Sequence, residues 1–162
     1  MLVSGLAFGL LAGLAVRRSW RPLRQVELRW VPVLLGSLVL RAIAPLFGAV
    51  SLPLYVAALF GTSASAAANS QLAGALLVAV GGCLNLAVVL LNGGMPVDPG
   101  AVTIAGTQMP VDALHVQLMP ATRLAPLADI IPIALVHNVY SVGDVVIAFG
   151  GFLIPFLLLL RR

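Results

Sequence analysis

Residues 140–162 read YSVGDVVIAFGGFLIPFLLLLRR. From Val142 to Leu160 the stretch is apolar apart from one carboxylate, Asp144, and it ends on Arg161 and Arg162. A run of about 20 apolar residues closed by cations is the pattern of a bilayer-spanning helix. An acid at its front edge is costly in hydrocarbon. The stretch therefore sets the fold class and asks what Asp144 is for.

The rest of the chain agrees on class. It is 61% hydrophobic and only 9% charged, against about 25% charged in a soluble domain. That is too little polar surface for a water-soluble globule, so an integral membrane protein is expected. The net charge of +4 comes from arginine, with no lysine. Those arginines sit beside apolar runs, which suits a cytoplasmic membrane surface and not a nucleic-acid partner. The lone Cys83 excludes a disulfide framework.

Working back from the last span, apolar segments cover residues 1–16, 31–50, 51–68 and 71–91, all within one membrane domain of 162 residues. With 142–160 they make an all-α bundle of about five transmembrane helices. Strand-length alternation is absent, which speaks against a barrel. Arg17 and Arg18 follow the first apolar run, whereas a signal peptide carries its cations before the core. The cluster Arg17, Arg18, Arg21, Arg24 and Arg29 and the pair Arg161 and Arg162 both belong in the cytoplasm by the positive-inside rule. An even number of crossings must join them, so 51–68 is a true span. The N-terminus is then outside and the C-terminus cytoplasmic. Flanked by Trp20 and Trp30, the first cluster is expected to lie on anionic lipid headgroups.

This topology puts residues 92–141 outside as a long, partly ordered loop. It is too apolar for a solvated tail and too long to be a plain connection. It repeats itself, MPVDPGAVTIAG from Met95 and MPVDALHVQLMP from Met109. Each copy reads as a proline turn and a short helix capped by Asp98 or Asp112.

The polar residues near the apolar segments are the candidates for chemistry. Arg41 stands near the middle of 31–50, where it either snorkels or meets an acid, Asp144 first and Asp129 second. Asn85 and Asn92 share a helix face; Asn85 is expected to bond across helices. Asn92 precedes Gly93 and Gly94, an irregular exit that must line a cavity or be covered. Ser141 and Asp144 form an S-x-x-D capping box. Asp129, in LADIIPI, is a second acid near the same helix start. Two carboxylates meeting in a low-dielectric pocket become one acid and one base. His115 and His137 suit zinc by type, but no ligand spacing accompanies them, so neither a metal nor another cofactor is expected. No nucleophile-elbow motif supports a Ser-His-Asp site.

NGGMPV, TRLAPLADIIPI and YSVGDVVIAFG, in that order after several apolar spans, resemble a bacterial membrane family, domain-of-unknown-function family 5317. The resemblance implies a bacterial inner-membrane protein without implying an activity. A fainter similarity is to lipoprotein signal peptidase, an intramembrane aspartyl protease of four spans. That similarity implies Asp144 and Asp129 as catalytic acids, with Asn92 and Gly94 as the Asn-x-Gly exit. The family's N-x-x-D-R motif finds only ATRL, where Thr122 precedes Arg123 without an acid.

A binding or interaction role through the outer loop is the leading expectation, with Asn92, Gly94, Arg41 and Arg123 as binding residues and the bilayer and a membrane-protein partner as partners. The alternatives are an aspartyl hydrolase using Asp144 and Asp129, and a small transporter or channel subunit.

Overall fold

The structure, a computed structural model, describes residues 1–17, 23 and 26–160. It is mostly helical. The long helices are α1 (Leu2–Arg17), α2 (Val31–Ile43), α3 (Ser51–Ala68), α4 (Ala75–Asn92) and, after the intervening segment, α6 (Val142–Leu160). Three helical stretches are long and apolar enough to cross a membrane, namely Val31–Ala68, Ala75–Asn92 and Val142–Leu160; Leu2–Val16 is apolar but shorter.

The first of these stretches is not one rod, and residues 31–50 are not one helix. α2 stops at Ile43 and a 3-10 segment, Ala44–Val50, comes next. Pro45 cannot donate to an α-helical ladder, and Gly48 takes φ 52, ψ −118, outside the helical region. The chain reverses there, and α3 packs back along α2. At about 1.5 Å per residue α2 is only about 20 Å long. Arg41 is therefore in its last turn, not mid-span as the sequence suggested. Its charge faces the negative end of the helix dipole.

The helices stand in a row, α1, α6, α4, α3, α2, each packed on the next. Small residues set the spacing. Gly5 and Gly9 of α1 lie against the backbone of Ala148 and Phe152, and Gly13 against Leu159. Side chains there would push α1 off α6, the reason G-x-x-x-G stripes mark close helix pairs. Matching contacts give the directions. α1 runs parallel to α6, whereas α4 crosses α6 with Gly74 on Gly150 and Gly81 on Gly143, antiparallel. Directions alternate along the chain, so Met1, Arg41, Tyr55, Asn92 and Val142 lie at one end, here the upper, and Arg17, Val31, Ala68, Ala75 and Leu160 at the lower.

Residues 93–141 form a compact cover on the upper end. They contain β1 (Met95–Val97), α5 (Pro99–Ala105), β2 (His115–Gln117), β3 (Ile131–Ile133) and β4 (Asn138–Tyr140). β1 pairs in parallel with β2, and β3 antiparallel with β4. An all-α reading missed these strands, which are three residues each, too short to show alternation. The repeat also resolves asymmetrically. Asp98 caps α5 through the amides of Gly100 and Ala101. Asp112 instead caps a turn, through the amides of Leu114 and His115. That turn leads into β2, so the second copy makes no helix. Val97, Ala101, Val102, Ala105 and Val139 give the cover its own small core. A second cluster, with Tyr55, Leu59, Val88, Val89, Met95 and Leu114, joins it to α3 and α4.

Candidate functional site

The front of α6 is built by three polar side chains on two helices. Ser141 Oγ accepts from the amide of Asp144 at 3.0 Å, and the Ser141 amide donates to Asp144 Oδ2 at 3.5 Å, the reciprocal bonds of a capping box. Asn85 of α4 then locks both residues. Its Oδ1 accepts from Ser141 Oγ at 2.8 Å, and its Nδ2 donates to Asp144 Oδ1 at 3.2 Å. All three residues are buried. The arrangement needs Gly143, since a Cβ there would strike the Asn85 amide. Asn85 does bond across helices, and it does so at the centre of the site.

Arg41 completes the acid's surroundings. Its Nη2 stands 3.9 Å from Asp144 Oδ1, and its Cζ lies 5.4 Å from the centroid of the Tyr55 ring, in cation–π range. Asp144 is thus both a cap and the partner of an arginine. The guanidinium makes no hydrogen bond among the described residues, so it is held by the ion pair with Asp144 and the face of Tyr55.

Asp129 reaches the same place from the cover. Its backbone extends the β1–β2 ribbon: its amide donates to the Pro96 carbonyl at 2.9 Å, and its carbonyl accepts from the Asp98 amide at 3.0 Å. The side chain is buried, yet Oδ1 has no hydrogen-bond partner among the described residues. Burial pushes this carboxyl up from its ordinary 3.8 to about 7, helped by the Asp144 charge and opposed by Arg41.

Asp129, Asp144, Arg41 and Tyr55 line one cavity of about 350 Å³ between the cover and the helix ends, and its wall also includes Met1, Gln108, His115, Asn138 and Tyr140. His115 Nδ1 lies 2.8 and 2.9 Å from the two oxygens of Asp112. Burial raises the Asp112 carboxyl, but the bonds from His115 and from the Leu114 and His115 amides outweigh it and hold it below the ordinary range.

Other candidates sit elsewhere. Asn92 Nδ2 donates to the carbonyls of Val88 and Arg123, at 2.8 and 2.9 Å, and its Oδ1 accepts from the Arg123 amide at 2.9 Å. It ties the cover to the end of α4 through the backbone of Arg123, whose side chain is exposed. Gly94 lets the chain pass the Leu114 carbonyl, which a Cβ would approach to 3.0 Å. None of these three residues lines the cavity. Arg29 is held from the other end, where its amide and carbonyl bond Asn69 at 2.8 Å each. Arg18, Arg21 and Arg24, and the side chain of Arg17, lie outside the described residues. Sequence reasoning missed Tyr55 and the cavity-facing role of His115. Tyr55 is the one tyrosine inside the first four apolar segments, and that was the available signal.

Residues 22–156 match a family of unknown function (DUF5317). The chain belongs to that family. The matched range includes Arg41, Tyr55, Asn85, Asp129 and Asp144, and all of α1 lies outside it. No curated protein and no solved structure matches the chain. The similarity to lipoprotein signal peptidase therefore finds no support, and the DUF5317 chain is read on its own geometry.

Proposed function

We propose that this chain is a multi-pass protein of the bacterial cytoplasmic membrane that binds a ligand in the cavity between its cover and its helix ends. Five crossings put the cover outside and the arginine-flanked lower end in the cytoplasm. The alternating helix directions support this, because they bring the ends of α1 and α6 and the start of α2 to one side. The binding reading is carried by one observation: Asp129, with one buried carboxylate oxygen unpartnered among the described residues, stands in the wall of that cavity. An unsatisfied buried acceptor costs about 1–3 kcal/mol or more, and a ligand that donates to it removes the cost.

A hydrophobic carbodiimide tests this reading, since it attacks protonated carboxyls in apolar surroundings. Asp129 should be modified near pH 6–7. Protein in native membranes, with its ligand present, should be protected relative to protein washed in detergent. An unreactive Asp129 in both preparations sinks the reading. For topology, with Cys83 replaced by Ala, Val111→Cys should label from outside and Ser70→Cys from the cytoplasm; labelling of both from one side removes the five-span arrangement.

The opening of two carboxylates onto one cavity favours a second reading, an aspartyl hydrolase acting on a membrane-embedded or lipidated substrate. Such chemistry needs one acid and one base. Asp129→Asn and Asp144→Asn must then each abolish turnover in an assembled protein; retained turnover in either one excludes it.

A further inference from the structure

The helix row has two free edges, α1 and α2, and they face each other. Between them runs a second cavity of about 380 Å³, lined by Leu2, Val3, Leu38, Ala42 and Ile147. Met1, Arg41 and Asp144 belong to its wall and to that of the polar cavity above, so the two adjoin. Deeper, Leu2 joins a third space of about 130 Å³ walled by Leu6, Leu34, Leu72, Val78 and Ile154. A slot thus leads from a polar chamber down an apolar seam between α1 and α2. A water-soluble ligand has no use for the seam, and a hydrocarbon alone has no use for the chamber.

The chamber presents, in Arg41 and Asp129, groups of opposite kind that make no side-chain hydrogen bond among the described residues. Arg41, with its side chain 37% exposed, stands off Asp144 at 3.9 Å and keeps its planar fork of donors available. That fork suits a phosphate oxygen pair. Asp129 lines the chamber with a carboxyl that has an unpartnered oxygen among the described residues, and an ammonium supplies the strongest kind of donor, a charge-assisted hydrogen bond. One headgroup bearing both a phosphoester and a primary amine answers both.

We infer that the chamber and the α1–α2 seam form a single site for a phospholipid with a primary-ammonium headgroup, the phosphate on Arg41, the ammonium on Asp129 and an acyl chain in the seam. The inference rests on the ligand-binding reading proposed for the cavity and gives that ligand its chemical class.

The test uses the purified full chain in detergent and intact-complex mass spectrometry. Phospholipids with matched chains and ethanolamine, choline or glycerol headgroups compete at equal concentration. Choline has no N–H to donate, so the ethanolamine lipid should be retained about tenfold over it. Asp129→Asn should shrink that preference to about twofold or less. Leu38→Trp, which fills the seam, should lower retention of all three lipids about tenfold. Its effect on binding of soluble phosphoethanolamine, followed by calorimetry, should be smaller, since that ligand has no chain to place in the seam. Equal retention of the three headgroups by the unaltered chain overturns the inference, as does a preference that survives Asp129→Asn. If phosphoethanolamine binds through Asp129 but no lipid is selected, the chamber remains a ligand site and the lipid assignment alone falls. If neither binds and Asp129 resists carbodiimide, both fall. Should Leu38→Trp fail to assemble, the headgroup competition and Asp129→Asn still decide.

Discussion

The two ends of the bundle use the same device for different purposes. At the lower end Asn69, just past α3, donates to the Ser65 carbonyl one turn back and grips the backbone of Arg29. At the upper end Asn92, closing α4, donates to the Val88 carbonyl one turn back and grips the backbone of Arg123. Each amide ties a helix end to a distant chain segment. At the lower end the polar side chain is spent on that tie. Past the upper clamp lies a chamber where a guanidinium lacks hydrogen bonds and a carboxylate oxygen has no partner among the described residues. The clamp makes structure at both ends; the polar residues that line a cavity at the lower end, Glu27, Arg29, Ser70 and Gln71, are exposed, whereas the end proposed to bind holds a buried one, Asp129, with an unpartnered oxygen.

The hardest way to break this contrast is at the upper seam. Gly143→Ala drives a methyl into the Asn85 amide and the Gly81 carbonyl, and Asn85→Leu strands Ser141 and Asp144. Each should destabilise by about 3–5 kcal/mol, as when a buried charge loses its partner, and size-exclusion and melting profiles should show loss of assembly.

Next in size, Asp129→Asn should stabilise. With its folded pKa raised to about 7 against an ordinary 3.8, the folded carboxyl holds a proton through that window while the unfolded one has lost it. Stability is therefore highest below about pH 4, falls as pH rises through 7, and the penalty is complete above it. By linkage the span is at most about 4 kcal/mol. Asparagine carries no such penalty, so its gain in melting temperature should be largest at pH 8 and vanish near pH 4. A variant melting lower than the parent at pH 8 would make Asp129 an ordinary structural residue.

The matched pair Asn69→Ala and Asn92→Ala sharpens the comparison directly. Each loses its three clamp hydrogen bonds, about 2 kcal/mol net. Only Asn92→Ala should also weaken ligand retention, because only that clamp holds the cover; equal effects on retention would erase the distinction between the ends. The smallest effect is expected from Asp112→Asn. Its carboxyl is held low, so its contribution exists above the ordinary carboxylate range and is lost as pH falls below about 4. Exposure keeps it to a few tenths of a kcal/mol, measurable as a slight change in acid melting.

Much of the helical frame was legible because lipid-compatible segments announce themselves by composition. α3 and α6 begin and end where the apolar runs do. α4 starts four residues later than the run at Gln71, since Gly74 in the left-handed region opens it. The Ser141–Asp144 box and the Asp98 cap were readable because capping is local in sequence. What stayed hidden is non-local. Nothing in LADIIPI says that Asp129 will bond to Pro96 and Asp98, and nothing in MPV says that β1 will pair with residues 20 positions on. The Gly5, Gly9 and Gly13 stripe is visible in the sequence, but the helix it packs against is not. Pro45 with Gly48 shortened a helix that hydropathy alone drew too long.

The bridge that holds Asp129 beside β1 has a consequence for how the molecule is made. Its carboxylate is aligned only after β1 and β2 have paired and the segment beyond residue 125 has added to them. The chamber acquires its floor only when α6, the last helix in the chain, docks between α1 and α4. During synthesis the acid therefore stays hydrated until nearly every other element is in position. The burial of this carboxyl is thus completed late in assembly, when many contacts are present to hold it. A chain cut before α6 should leave Asp129 titrating below about 7, since the Asp144 charge that helps raise it is then missing.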